Sequence, residues 1–280
     1  MALSVRTVKA GTYAGWALVL FILLAFLPAV ILPFVELPSG VPYELLLILG
    51  SWAPNIAALI VLGLFLREPG GLRRLLAGWL QWRVGVGWYL TLLIPVGIAA
   101  LAVVGYRLGG GQGDAPAEAV DAGLILGLAV MTWVTGALGE ELGWRGFLLP
   151  RLQRWLAAVP ASLVVGVLWS LWHLPRWFLP GRPWETLPFW SFAATALFSS
   201  VLYTWLVNGT GGSLLLVSAF HFSVNFANSS ISIFGCVPDT AYFSIIAVLY
   251  ALAAAVVIWR YGSSSLSPNG RLYTAEPDPG

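Results

Sequence analysis

The sequence predicts an all-α membrane protein in which about eight transmembrane helices enclose a cavity inside the bilayer. Of its 280 residues, 59% are hydrophobic and only 9% are charged, whereas soluble domains contain about 25% charged residues. Apolar segments of about 20 residues, the length that a helical span requires, recur along the whole chain. Ionisable side chains occur inside a few of these segments, and such side chains face a protein interior or a wet cavity rather than lipid.

The apolar segments divide the chain into a membrane domain and a polar tail. We predict a single transmembrane domain at residues 1–261. Residues 262–280 are rich in Ser, Pro and Gly and have no apolar face, so we predict a disordered tail there. The predicted spans are residues 13–35, 43–66, 86–106, 122–149, 160–178, 188–207, 213–234 and 241–259.

The basic residues predict how the chain is oriented. Apart from Arg107, Arg176 and Arg182, the basic residues outside the spans lie on the same side of them as both termini. The positive-inside rule therefore places both termini in the cytoplasm, and we expect the cytoplasmic membrane of a prokaryote. The net charge of +2 is too small to indicate a nucleic-acid partner. The single cysteine, Cys236, excludes an internal disulfide and a multi-cysteine zinc site.

The fourth apolar segment contains three charged residues, Glu140, Glu141 and Arg145. Each would cost roughly 2.5–3.5 kcal/mol near the bilayer centre unless it is paired or hydrated. Glu141 and Arg145 have the i, i+4 spacing of a helical ion pair. Glu140 is rotated about 100° from Glu141 and is the acid/base candidate. The alternative is that the three charges only anchor one end of the span. Glycines on this helix would let neighbouring helices approach it closely, at Gly136, Gly139, Gly143 and Gly146.

Both histidines of the chain, His173 and His221, lie in apolar segments. Asn225 follows His221 at i+4, so the imidazole and the carboxamide share one helix face. A single histidine in a span often only links two helices by a hydrogen bond. The combination of His173, His221, Asn225 and Glu140 on three spans instead predicts a polar site inside the membrane.

The polar residues form three motifs that together resemble the CPBP family of intramembrane proteases. This family includes type II CAAX prenyl endopeptidases and bacterial self-immunity proteins. The resemblance covers roughly residues 120–235. The matching motifs are EExxxR at Glu140, Glu141 and Arg145, (F/W)xxxH at Trp169 to His173, and HxxxN at His221 to Asn225.

The resemblance implies hydrolysis of a peptide bond in a cavity that opens toward the cytoplasm. By the same resemblance, Glu140 and His173 would activate the attacking water, and His221 and Asn225 would stabilise the oxyanion. A positioned carboxylate can act as a general base, and preorganised donors stabilise a developing negative charge. The implied partners are the lipid bilayer and a peptide or membrane-protein substrate.

The sequence does not decide whether the site binds a metal ion. A mechanism without a metal is one alternative. A zinc site formed by Glu140, His173 and His221 is the other, since two histidines and one carboxylate leave an open coordination position. The HExxH pattern that would favour zinc is absent. The resemblance gives Glu141 and Arg145 a structural role at the site.

Two other functions compete with the protease hypothesis. The chain could be a non-proteolytic immunity or scaffold protein that binds a peptide or a membrane partner in its polar pocket. It could also be a small transporter in which buried acids and histidines relay protons, although no internal repeat supports that function. The sequence does not indicate a substrate or an oligomeric state.

Overall fold

The computed structural model describes residues 2–35, 43–113, 120–178 and 187–274. Within these ranges all regular elements are helices, which confirms the predicted all-α class. The helices are α1 (Ala2–Ile31), α2 (Tyr43–Ser51), α3 (Ala53–Ile60), α4 (Gly71–Ala77), α5 (Val86–Leu90), α6 (Leu93–Leu108), α7 (Ala122–Thr132), α8 (Leu138–Glu141), α9 (Leu149–Leu152), α10 (Ala158–His173), α11 (Phe189–Thr210), α12 (Leu214–Ile233) and α13 (Asp239–Tyr261).

The helices are long and apolar enough for a polytopic membrane protein. In the part of the chain that is described, seven helical stretches can span a bilayer by length and hydropathy. An eighth span results if Leu45–Ser51 and Ala53–Leu66 are counted as one helix that is bent by 42°. The count agrees with the predicted eight spans. A Trp52–Ala53–Pro54 sequence lies at the bend, where the proline removes a backbone donor.

The two ends of the helix bundle are defined by different contacts. At one end, called the tail end, the amide of Ala158 donates to the carbonyl of Ser264 at 2.8 Å, and Ser213 Oγ donates to the carbonyl of Gln81 at 2.6 Å. At the opposite end, called the cavity end, the indole of Trp172 donates to the carbonyl of Ala25 at 3.0 Å. Helices α10 to α13 run alternately between these two ends.

The prediction of a disordered tail is wrong for residues 263–273, which are packed against the tail end of the bundle. The Gln153 Nε2 atom donates to the carbonyl of Tyr273 at 2.9 Å, and Asn208 Nδ2 donates to the carbonyl of Ser265 at 2.7 Å. Leu266 is fully buried. Two polar side chains on α11 and after α9 thus satisfy backbone groups of the tail, and composition alone could not predict these partners. Residues 275–280 lie outside the described part of the chain.

Candidate active site

The fourth span contains two widened helical turns, and the two glutamates lie between them. Residues Trp133–Ala137 and Leu142–Leu148 are π-helical and flank α8, which carries Glu140 and Glu141. In a π-helix the backbone bonds join residues five apart instead of four, so side chains change their facing relative to a regular α-helix. Single turns of this kind are frequent at functional sites.

Asn55 on α3 bridges the backbone at the second widened turn. Its Nδ2 donates to the carbonyl of Leu138 at 2.6 Å, and its Oδ1 accepts from the amide of Gly143 at 3.0 Å. These two backbone groups are five residues apart. Gly143 also lies so close to Pro54 that an added Cβ would be 2.5 Å from its carbonyl oxygen. The close approach predicted for the glycine face is therefore confirmed at this position.

We expect Asn55→Ala to lower the free energy of unfolding by about 2–6 kcal/mol, because a buried backbone donor and a buried acceptor would each lose a partner at about 1–3 kcal/mol. Thermal unfolding in detergent measures the change. The control is Gln112→Ala, which removes a carboxamide from an exposed residue and for which we expect a change within about 0.5 kcal/mol. An equally small change for Asn55→Ala would contradict the bridging role.

Glu140 is buried and is bound by the indole of Trp169. The Trp169 Nε1–H donates to Glu140 Oε2 at 2.6 Å. The tryptophan comes from α10 and lies one turn before His173. This bond therefore links the (F/W)xxxH motif to the EExxxR motif. A carboxylate that accepts such a bond is held in one orientation, and its second oxygen remains for another partner.

Glu141 is fully buried, and two side chains bind one of its oxygens. Its Oε1 accepts from Arg145 Nη1 at 3.0 Å and from His221 Nδ1 at 2.6 Å. The predicted i, i+4 pair of Glu141 and Arg145 is confirmed. The guanidinium of Arg145 also lies over the rings of Trp169 and Tyr203, 4.4 and 4.1 Å from their centroids. The arginine is thus held by a carboxylate and two aromatic faces, which offset the cost of burying its charge.

His173 is buried at the C-terminal end of α10. Its Nδ1 lies 2.8 Å from the carbonyl oxygen of Trp169. Because a carbonyl can only accept, Nδ1 carries a hydrogen and Nε2 is the free nitrogen of the neutral ring. The ring also contacts Trp172 and Phe192, with centroids 4.7 and 5.0 Å away.

His221 and Asn225 are brought together beside Gly136. An added Cβ at Gly136 would be 3.2 Å from His221 Nε2 and would overlap Asn225 Nδ2. The ring of His221 also packs against Trp169, with centroids 5.4 Å apart. Two potential donors from α12 therefore lie side by side, in space that exists because residue 136 has no side chain.

The four residues that the sequence selected line one cavity of about 400 Å³. Its volume lies within the range of ligand-binding pockets, about 300–1,000 Å³. Glu140, His173, His221 and Asn225 are all in its wall. The predicted gathering of polar groups from three spans is therefore found in the structure.

The cavity extends from Glu140 to the cavity end of the bundle. Its wall includes Ser232, which is exposed near the end of α12, and Asp239 at the start of α13. The sequence led us to expect cytoplasmic termini and also a cavity that opens toward the cytoplasm. These two expectations exclude each other in this fold, because the cavity reaches the end opposite to the packed tail.

Glu140, His173 and His221 are not grouped as a metal site would require in the described part of the chain. Among the residues that the structure describes, no group of three His, Cys, Asp or Glu side chains is placed so that it could hold a metal ion. The placement of these side chains does not fit the zinc alternative.

Two contributors to the site, Asn55 and Tyr203, were not selected from the sequence. Asn55 lies in a different predicted span, and Tyr203 lies in a span without a motif. Trp169 was part of a motif, but its bond to Glu140 was not predicted. Polar residues in apolar segments are a general signal for such sites, and Asn55 carries that signal.

The fold and the site define a polytopic helical membrane protein with a carboxylate, two imidazoles and a carboxamide around an internal cavity. Residues 121–227 match the family model described as type II CAAX prenyl endopeptidase Rce1-like. The CAAX prenyl protease 2 of Methanococcus maripaludis is 31% identical over 129 residues, which are 43% of this chain and 45% of that protein. The alignment thus spans less than half of that relative. These matches confirm the resemblance to type II CAAX prenyl endopeptidases over the part of the chain that carries the motifs, and both names are those of peptidases.

Proposed function

We propose that this protein is an intramembrane endopeptidase that hydrolyses a peptide bond with a water molecule activated by Glu140 and His173. One observation carries the proposal. A buried carboxylate held by Trp169, two histidines and a carboxamide from three separate spans line a single cavity of about 400 Å³. The family match over residues 121–227 supports the same class of reaction.

The attacking water would lie between Glu140 and His173. Trp169 occupies Oε2 of Glu140, so Oε1 remains to accept a hydrogen bond from the water. The His173 Nε2 atom offers a lone pair to the same water. As the water oxygen bonds to the scissile carbonyl carbon, its proton passes to Glu140. Glu140 then protonates the leaving amine as the C–N bond breaks.

The oxyanion that forms in this step would be stabilised by His221 and Asn225. Because Nδ1 of His221 donates to Glu141, Nε2 can donate only when the ring carries both hydrogens. The resulting imidazolium and Arg145 balance the charges of Glu140 and Glu141, so the buried cluster is neutral in this state. Donors that are fixed before the reaction stabilise the developing charge most effectively.

The orientation and the first substrate to test are part of the proposal. The distribution of arginines supports cytoplasmic termini. A farnesylated peptide that ends in a CAAX sequence is the first substrate to test, because the relative from Methanococcus maripaludis is named a CAAX prenyl protease.

The test is cleavage of this peptide by the purified chain in liposomes, with the products identified by mass spectrometry. We expect one new peptide terminus, and we expect the rate to be unchanged by EDTA or phenanthroline because the donor geometry does not fit a metal. A zinc protease in the same liposomes serves as the control, because its inhibition shows that the chelators are active. Loss of cleavage on chelation would contradict the water mechanism at Glu140. Absence of cleavage of this peptide and of a panel of transmembrane peptides would contradict the proposed function.

A further inference from the structure

The cavity lies on the opposite side of the bundle from the arginine-rich loops, and this indicates from which side the substrate arrives. We propose that the cavity opens on the non-cytoplasmic side of the membrane and accepts extended peptide segments exposed there, such as parts of secreted or membrane proteins. The substrate class rests on the proposed peptidase function, whereas the orientation does not.

The tail end of the bundle is marked by contacts that join segments distant in sequence. Arg151 pairs with Glu68 at 2.8 Å, and Gln153 bonds to Asn208 at 3.0 Å. The packed tail is bonded to the same end through Ser264. Helix α1 begins at this end as well, because its other end contacts Trp172 at the cavity end.

The basic residues are strongly biased toward the tail end. The chain has 14 Lys and Arg residues. Arg145 is buried in the fourth span, and of the other basic residues in the described ranges only Arg107 and Arg176 lie in or next to connections at the cavity end. All the remaining basic residues that the structure describes lie at the tail end. Basic residues in short loops are retained on the cytoplasmic side during insertion, so the tail end faces the cytoplasm and the cavity end faces away from it.

The wall of the cavity has the chemistry to bind a peptide backbone. Four polar residues on α12 line it at i, i+3, i+4 and i+7 spacing, namely Asn225, Asn228, Ser229 and Ser232. This polar face is about 10 Å long at 1.5 Å per residue. It matches about three residues of extended chain at about 3.3 Å each. Amide and hydroxyl groups can both donate to and accept from peptide groups.

The single native cysteine reports the orientation directly. Cys236 lies between α12 and α13 at the cavity end and is half-buried. A membrane-impermeant maleimide is applied to intact spheroplasts that express the full chain, and then again after permeabilisation. We expect Cys236 to be labelled to the same extent in both conditions. Thr240→Cys in a Cys236→Ser background places an exposed thiol at the same end, and should behave in the same way.

The matched control places a thiol at the opposite end. Ser263→Cys in the Cys236→Ser background is exposed at the tail end and should be labelled only after permeabilisation. The reverse pattern would overturn the proposal. Labelling of both ends in intact spheroplasts would indicate insertion in both orientations and would overturn it as well.

A second measurement addresses the substrate. An extended hydrophilic peptide supplied outside intact spheroplasts should be cleaved by the wild-type chain and not by Glu140→Gln. Cleavage only of a peptide expressed inside the cell would overturn the proposal. If neither peptide is cleaved while Cys236 is labelled from outside, the proposed peptidase function and the substrate class fail, and the orientation stands on its own.

Discussion

Replacing Glu140 by glutamine is expected to lower kcat for peptide cleavage by about 10²–10⁴-fold, the usual contribution of a general base. Glutamine has the same shape, and its carbonyl oxygen can still accept from the indole of Trp169. It cannot take a proton from the attacking water. Because the packing is retained, we expect KM and the thermal unfolding temperature in detergent to change little.

The matched control for this substitution is Glu68→Gln at the tail end. It makes the same carboxylate-to-amide change in a residue that pairs with Arg151 and does not line the cavity. We expect this variant to keep wild-type activity. Full activity of Glu140→Gln would contradict the peptidase mechanism. If partner binding or immunity persisted in that variant while no cleavage occurred in either protein, the scaffold function would be favoured.

Replacing His221 by alanine is expected to lower kcat by about 10²–10³-fold, the loss usually seen when one oxyanion donor is removed. The imidazole is held by Glu141 through Nδ1 and lies beside Asn225 next to Gly136. Its removal takes away the donor and also leaves Glu141 paired with Arg145 alone. Steady-state kinetics in liposomes, together with thermal unfolding, separate the catalytic loss from the structural one.

Two comparisons make the His221 prediction specific. Asn225→Ala should also lower kcat, and the double variant should lose less than the product of the two single losses, because both side chains act on the same oxygen. Ser218→Ala lies one turn earlier on α12, and its buried Oγ has no partner in the described structure. This variant should keep wild-type activity. Independent, multiplicative losses for His221 and Asn225 would contradict a shared oxyanion site.

The spans and the motif residues could be predicted because each depends on a local property of the chain. Hydrophobic length alone identifies a span, since every backbone group in lipid must bond within its own helix. The cost of burying Glu140 and His221 in an apolar segment selected them for the same reason. The pair of Glu141 and Arg145 followed from helical spacing.

The partners across helices could not be predicted in this way. Asn55 bonds to backbone groups more than 80 residues away, and the indole of Trp169 reaches Glu140 across 29 residues. Neither contact leaves a periodic pattern in the sequence. The widened turns beside α8 were also missed, because a regular helix was assumed in placing Glu140 and Glu141.

The sequence by itself determined the class of this protein, the number of its spans and four polar residues that line its cavity, because burial in lipid imposes its cost residue by residue. The tertiary structure alone decided that His221 pairs with Glu141, that residues 263–273 pack instead of remaining disordered, and that the cavity reaches the end opposite to the tail. These features depend on which helix faces meet, and the energy of such contacts is shared between residues far apart in the chain.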